Sequence, residues 1–484
     1  MKKMNWSLTI SIAILALTIG VVATYLIIEE NERHCQAYVV ELRDDYDELS
    51  ELLEFLHHLR RHHYFYNEDD DLIRGAIEGM VAQANDPWAR LLTAEEYRSS
   101  VGVLLGTFSG IGIRVLDVDG YVIIVEVFRG SPAEKNGLRP GDAIISIGDE
   151  RFDEHEFEEF IDQLLGANGT NVALEIQRMN DLFYLEITRG YISFEDVVLD
   201  IFEHENKVIG YIQVLSFGMD IQSDFNDAIA ELERVGIDGL IIDMRDNPGG
   251  ALATLTTMVN YLLPNNRIIT TMIDRNGRET TQRTRGDDHY RLDVDIVTLI
   301  NGGSASASEL FAAAMMESGD FEVIGTTSFG KGTAQVPIYA GDNVLISTVQ
   351  EGLTPSGGFI EGYGVTPTIY VEMPEFYYLS LIHLGRGVTL EYDMVDFRIA
   401  NAQLILAALG YDLDRADGYF DASTVEAVRA FQQSNELNET GYINPETATS
   451  LSIALLDKMQ NSAYDTQLLA ALDFFTGGVK FDGR

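Results

Sequence analysis

Between Asn301 and Gln335 the chain reads NGGSASASELFAAAMMESGDFEVIGTTSFGKGTAQ. Three serines, Ser304, Ser306 and Ser308, stand just before a helical run, and a lysine flanked by glycines, Gly330-Lys331-Gly332, stands just before a strand. A serine hydroxyl attacks a carbonyl only when a neighbouring base takes its proton. No histidine lies in this segment, so the base at hand is Lys331, which serves when burial favours its neutral amine. Strand alternation puts Lys331, Thr333 and Gln335 on one face, where the Gln335 carboxamide can hold the amine in line. Ser306-Ala307-Ser308-Glu309 also fits the capping box S-x-x-E, which by itself makes Ser306 only a helix start. The two roles are compatible, because the free amides of a first helical turn can face a developing oxyanion.

These groups need a scaffold, and residues 191–385 supply one by pattern. VIGYIQV reads as strand, DFNDAIAELERV as helix, GLIIDM as strand and ALATLTTMVNYLL as helix, a β-α-β rhythm that predicts a layered α/β core. Gly325-x-x-x-x-Gly330-Lys331 comes close to a P-loop, but Gly332 replaces the magnesium-binding hydroxyl and a strand follows where a helix is required. Upstream, residues 98–190 break into short alternating stretches separated by Gly and Asp-Gly turns. Within them FSGIGIRV and GSPAEKNGLRPGDAIISIGDE resemble a PDZ domain. Residues Ser109, Gly110, Ile111, Gly112 and Ile113 form its candidate carboxylate-binding loop, whose amides can converge on an anion. The strand after the loop and a helix predicted over 155–165 (HEFEEFIDQLL) make the walls of a groove that adds a peptide as an extra strand.

SASASE followed by TSFGKGTAQ resembles the carboxyl-terminal processing proteases, the tail-specific serine peptidases of family S41. DPWARLLTAEEY, DMRDNPGG and TPSGGFIEGYGVTPTIYV extend the resemblance over about residues 75–375. It implies a crotonase/ClpP-like α/β peptidase core and a Ser–Lys dyad. Ser306 would be the nucleophile, Lys331 the general base and Gln335 the residue that orients the lysine. The oxyanion hole would map to the amide of Ala307 and to one amide in Asn247-Pro248-Gly249-Gly250, with Gly250 the first choice. Asp246 departs from the N-N-P-G-G often seen in the family, and TPSGG lacks the basic residue often seen after TPSG; both bear on substrate preference. The resemblance also implies that the PDZ domain gates the catalytic channel, with Arg178 in VALEIQR matching a basic gating residue; an ordinary strand-end arginine is the alternative. No metal or organic cofactor is implied.

Residues 395–456 predict a small three-helix bundle whose spacing buries Leu404, Leu406, Leu409, Val425, Val428 and Phe431, with a turn at Asp417-Gly418 and Thr424 opening the next helix. ADGYFDASTVEAVRAFQ resembles peptidoglycan-binding domains, so cell-wall material is an expected partner; a spacer or dimer contact is the bland alternative. The last amphipathic helix, YDTQLLAALDF, resembles the closing helix of processing proteases and places the wall module as an insertion before it.

Residues 1–5 carry Lys2 and Lys3, and the 23 residues from Trp6 to Ile28 hold no charged side chain, more than the roughly 20 that cross a bilayer as a helix. Lysines before the run and Glu29, Glu30 and Glu32 after it predict a single-pass bacterial membrane anchor with the catalytic part extracytoplasmic. A cleaved signal peptide is the rival, but its A-x-A-like site is missing. Residues 29–75 read as helix and predict, within the 29–97 region joining the core, a homodimer contact that Cys35 would cross-link. His58 and His62, four apart beside His57 and His63, lack a third ligand of matching spacing, so a solvated or dimer-facing stripe is the expectation. Over all 484 residues, 33 basic against 77 acidic side chains give a net charge of −44, which argues against a nucleic-acid partner. The acidity fits brine or alkaline surroundings and equally an ordinary solvated surface. Expected substrates are proteins or peptides with free C-termini. The competing readings are a dormant PDZ–wall scaffold and a wall hydrolase, the latter lacking an acid pair or zinc cluster.

Overall fold

The computed structural model describes residues 49–64, 69–94, 96–97, 107–152, 157–193, 196–218, 221–285 and 293–477. The Trp6–Ile28 run and Cys35 lie outside them. The chain divides into two units, residues 1–87 and 88–484. In the first, the helical reading holds over 49–62 but is interrupted at His63 and Tyr64 before a second helix, Asp69–Gln83. The rings of His58 and His62 stand 5.1 Å apart on the earlier helix. Among the described residues no helix is long and apolar enough to cross a membrane.

The centre of the second unit is a six-stranded sheet in the order Val197–His204, Lys207–Val214, Gly239–Asp243, Asp295–Ile300, Glu322–Gly325, Ile369–Tyr370. Its first pair is antiparallel and the rest are parallel. Parallel strands need helical cover on both faces, and the apolar runs provide for it. Leu240 and Ile242 point into a core with helices Ile221–Val235, Leu252–Leu262 and Ala307–Ala313. Ile241, Val297 and Leu299 point the other way, onto Leu468, Ala471 and Leu472 of helix Thr466–Thr476. Chain-terminal helix and central sheet are locked by Arg245, whose guanidinium lies between Asp243 (Nη2···Oδ2 2.5 Å) and Asp465 (Nη2···Oδ2 2.8 Å). These carboxylates hold Arg245 well above its ordinary pKa against the cost of its burial.

A second, five-stranded antiparallel sheet flanks the first. In it Asn343–Leu353 pairs with Arg90–Thr93, Ile268–Asp274 and Thr333–Ala340. This sheet carries the segment after Lys331.

The PDZ sheet runs Ile113–Val118, Tyr121–Val127, Ala143–Ile147, Asn171–Arg178, Asp181–Thr188. Its inner face buries Ile124, Ile144, Phe160, Leu174 and Ile176. Its outer face is not solvated. Val118, Ile123, Val125 and Ala143 share one core with Ile399, Ile405 and Leu406 of helix Phe397–Ala408, with Val428 and Phe431 of helix Ala422–Ser434, and with Leu451 and Leu455 of helix Pro445–Gln460. The segment before these helices seals the seam. Gln177 donates to the Leu384 carbonyl at 3.1 Å, and the His383 ring packs 4.5 Å from Tyr121. Burial pushes the His383 imidazole down to about 4, so it enters this apolar seam uncharged above that pH.

The three-helix reading holds in outline, with two corrections. Leu404 is 39% exposed while Ile405 is fully buried, because the helix turns its Ile399–Ala402–Ile405–Leu406 stripe inward and leaves Leu404 on the far side. The next helix opens at Ala422, not Thr424; Asp421 is its cap and accepts from the Thr424 amide at 2.9 Å, leaving Thr424 inside the first turn.

Candidate active site

Ser304, Ser306 and Ser308 have different fates. Ser304 Oγ donates to the Met244 carbonyl at 2.7 Å, and Ser308 Oγ donates to the Asn247 carbonyl at 2.9 Å; both side chains are fully buried. Ser306, between them, lines a cleft of about 380 Å³ together with Lys331 and Gln335. Its backbone, at φ 58° and ψ −114°, sits where an L-residue is strained, at a cost on the order of 1–3 kcal/mol. A strained turn between strand Asp295–Ile300 and helix Ala307–Ala313 lifts this serine out of the packed core.

The strain persists because the capping box forms around it. Ser306 N–H donates to Glu309 Oε2 at 2.8 Å. The same buried carboxylate accepts from Lys331 N–H (2.8 Å, Oε2), Gly330 N–H (2.7 Å, Oε1) and the Ser328 hydroxyl (2.6 Å, Oε1). Glu309 thus ties the backbone of Ser306 to that of Lys331.

Ala307 and Gly250 both line this cleft, and among the described residues neither backbone amide has a hydrogen-bond partner. Gly249 is different: its N–H donates to Asn247 Oδ1 at 2.8 Å. Gly249 is what permits the close approach. At its φ of 99°, a Cβ would meet Ala305 O at 2.7 Å and Ser306 Cβ at 2.8 Å.

The Lys331 amine lies 4.6 Å above the Trp88 ring, and among the described residues it makes no hydrogen bond to Ser306 or Gln335. Burial depresses its pKa from the ordinary lysine value, and the Arg90 charge adds to this; Glu361 and Glu309 oppose them without reversing the direction. Gln335 Nε2 donates to Thr333 Oγ1 (3.0 Å) and Thr348 Oγ1 (3.2 Å), but the strand begins only at Thr333 and its register shifts between Ala334 and Gln335, so Lys331 stands outside the expected alternation. The rest of the cleft wall mixes apolar side chains, Leu92, Leu252, Met272, Leu310 and Ile346, with Arg90 and Tyr97. A hydroxyl, an amine of lowered basicity and two amides without hydrogen-bond partners at one cleft are the parts of an acyl-transfer site.

Residues 208–371 match peptidase family S41, residues 104–177 the PDZ domain and residues 398–451 the putative peptidoglycan binding domain. The carboxy-terminal processing protease CtpB of Bacillus subtilis (strain 168) is 36% identical over 411 residues, 83% of this chain and 84% of that protein. CtpA of the same strain is 33% identical over 417 residues, 86% and 87% of the two chains. The chain belongs to the carboxy-terminal processing serine proteases of family S41. Among solved structures, the photosystem II D1 C-terminal processing protease superposes with a TM-score of 0.46 at 24% identity, over 62% of this chain and 81% of that one.

The remaining predicted site residues of the protease lie in its PDZ domain, and none lines the cleft. Only Ile111 and Gly112 of the expected loop 109–113 lie between strands: Ser109 and Gly110 end strand Thr107–Gly110, paired with Gly190–Ser193, and Ile113 opens the next strand; the segment is held at its carbonyls. Ser109 O accepts from Gly166 N–H at 3.2 Å, Ile111 O from Ala133 N–H at 2.8 Å and Gly112 O from Phe128 N–H at 3.1 Å. Ser109 Oγ is buried with no partner among the described residues. Strand Ile113–Val118, which follows, ends its sheet and has no partner on its outer edge among the described residues, and the facing helix is described over Phe157–Asp162, ending before the expected residue 165, while residues 155 and 156 lie outside the described residues. Arg178 grips Asp142 through Nε (2.6 Å) and Nη2 (2.7 Å) and donates to the Gly137 carbonyl at 2.7 Å.

Sequence reasoning missed two residues that hold the groups at the cleft without lining it. Glu309 was visible only as the last letter of a capping box; its contacts to Ser328, Gly330 and Lys331 cross from helix to loop. Trp88 was visible only inside the DPWARLLTAEEY motif. Replacing Glu309 with Gln keeps the shape but turns one acceptor oxygen into a donor facing donors. Glu309→Gln is expected to lower unfolding stability in urea by about 2–4 kcal/mol and to slow labelling of Ser306 by a serine-directed fluorophosphonate about 10²-fold; a variant with wild-type stability and labelling would refute the role of this carboxylate.

Proposed function

We propose that this protease cleaves protein substrates near their C-termini with a Ser306–Lys331 dyad. The observation that carries the reading is that, of the three clustered serines, only Ser306 opens onto the cleft that also holds Lys331. Ser306 Oγ attacks the scissile carbonyl carbon as its proton passes to Lys331 Nζ. The amides of Ala307 and Gly250 receive the oxyanion. The intermediate collapses, the leaving amine takes the proton from Lys331, and water activated by the same amine hydrolyses the acyl-enzyme. Gln335 orients the lysine from the adjoining strand. The apolar part of the wall, Leu92, Leu252, Met272, Leu310 and Ile346, favours an uncharged apolar side chain beside the cleaved bond.

Upstream of the chemistry, the substrate's terminal carboxylate sits on residues 109–113 and its chain extends along the free edge of Ile113–Val118. Arg178 gates the cleft through its grip on Asp142 and the Gly137 carbonyl. The Trp6–Ile28 run anchors the enzyme, the helical module holds peptidoglycan outside the membrane, and two copies pair through their N-terminal helices. A dormant scaffold is the second reading, favoured by one observation: the Lys331 amine rests on Trp88 and not on Ser306.

Ser306→Ala and Lys331→Arg separate the two readings. Each is expected to reduce cleavage of casein by about 10³-fold or more, because arginine remains charged and takes no proton. In the wild type, kcat/KM is expected to rise with pH as Lys331 loses its proton and to level off below the ordinary lysine range, since its pKa is depressed by burial and by Arg90. A flat profile from about pH 6 to 10 would sink the dyad.

In calorimetric titration, a hydrophobic C-terminal peptide is expected to bind as the free acid about tenfold or more tightly than as the amide, and Arg178→Ala to abolish its stimulation of turnover. Equal binding of acid and amide removes carboxylate capture; stimulation that survives in Arg178→Ala removes the gating role.

Location is tested on the whole protein, because the helical module shares its core with the PDZ sheet. The enzyme is expected to remain in the membrane pellet after an alkaline wash and, in detergent, to co-sediment with purified peptidoglycan. Release by the wash counts against the anchor, and a clear supernatant over peptidoglycan counts against wall binding.

A further inference from the structure

The Trp88 ring is held from two sides. Its indole N–H donates to Glu361 Oε1 at 3.0 Å, and the Phe329 ring lies 6.2 Å away, tilted by 54°. The other oxygen of Glu361 accepts from Gly332 N–H at 2.7 Å. One carboxylate therefore fixes both the ring and the backbone next to Lys331, and the Lys331 amine lies over the ring 4.6 Å from its centroid. An aromatic face attracts an ammonium through its quadrupole but has little hold on a neutral amine. As a base, Lys331 must be neutral.

We propose that Trp88 is a positioning residue for the dyad lysine: its face, fixed by Glu361, holds the Lys331 ammonium away from Ser306, and loss of the proton frees the amine to reach the hydroxyl. This deepens the Ser306–Lys331 reading and rests on it. The ring then acts as a hold on one protonation state, and charge and position of the amine change together. The charged and titratable groups around the amine are Arg90 on the segment that carries Trp88, Glu309 on the helix after Ser306 and Glu361 on the loop after TPSGG, with Tyr97 on the same cleft wall. Arg90 works against the ammonium and the two carboxylates for it, so the ring adds to the carboxylates' side.

The sign follows. Removing the face while keeping apolar cover destabilises the ammonium, lowers the pH at which the amine becomes neutral and raises activity below that pH. In the full-length enzyme, Trp88→Leu is expected to shift the rising limb of Ser306 labelling by a fluorophosphonate toward acid by roughly half a unit to one unit. The Lys331 Nζ titration followed by nitrogen-15 NMR is expected to shift with it. Trp88→Phe, which keeps an aromatic face, restores most of both. Trp88→Met, apolar and without a ring, is the second ring-free variant, with thermal unfolding run on each. A looser fold alone would lower labelling at every pH without moving the limb. An NMR titration that stays in place or moves toward alkali in both ring-free variants overturns the proposal. A titration that moves toward acid while the labelling limb stays fixed supports the hold of Trp88 on the amine and sinks Lys331 as the base.

Discussion

The buried carboxylate of Glu309 is the interaction on which the site depends. A strained serine and a lysine on a separate loop have no intrinsic reason to meet. Glu309 accepts from Ser306 N–H on one side and from Lys331 N–H, Gly330 N–H and Ser328 Oγ on the other. A buried carboxyl group is costly unless its acceptor sites are filled. Here they are filled by backbone amides and a hydroxyl, so the Ser306 turn and the Lys331 loop are each satisfied only when the other is in place. Three more buried polar links brace the same turn: Ser304 to Met244, Ser308 to Asn247, and the Asn247 carbonyl to the Ala305 amide at 2.9 Å. The strain at Ser306 is thereby over-determined by its surroundings, which is the condition under which such strain survives.

Much of this was legible from local pattern. The β-α-β rhythm of residues 208–263 reappears as strands and helices within about three residues at each end, because consecutive apolar runs and amphipathic helices carry their period in the sequence. The family motif picked Ser306 from three similar serines. Spacing alone could not, because what distinguishes them is that Met244 and Asn247, some sixty residues away in sequence, offer carbonyls to the other two. The same limit explains Glu309 and Trp88, whose partners come from distant loops. Leu404 failed for a nearer reason: an i, i+3, i+4 stripe tolerates a one-residue rotation, and Ile405 occupies the inward position. Sequence could not tell the Gly249 amide from that of Gly250; in the fold Asn247 Oδ1 occupies the Gly249 amide.

The PDZ sheet and the helical module were read as separate beads, and here the fold departs most from that picture. Both patterns were correct, but each has a second apolar face that binary patterning does not assign to a partner. Val118, Ile123 and Val125 on the sheet meet Leu406, Val428 and Leu451 on the helices. Such a seam resembles a domain core more than a transient contact, so the sheet and helices move together if they move at all. A load on the helical module would therefore reach the sheet that carries the loop at 109–113 without a dedicated linkage.

The electrostatics of the cleft run against the protein as a whole. A chain with a net charge of −44 should, on average, favour protonated amines, and two carboxylates, Glu309 and Glu361, stand close enough to Lys331 to do so. Yet the direction of its shift is downward, and desolvation is the largest cause. The reason is geometric. Both carboxylates present their oxygens to N–H groups: Glu309 to the backbone amides of Ser306, Gly330 and Lys331, Glu361 to the Gly332 amide and the Trp88 indole. What reaches the amine is their field at a distance and not a hydrogen bond. Arg90 cancels part of that field, leaving apolar burial to decide. Lys331 can thus be surrounded by acidic groups and still be a weaker base than a free lysine, which is the state that an amine must approach to take a proton from a serine near neutral pH.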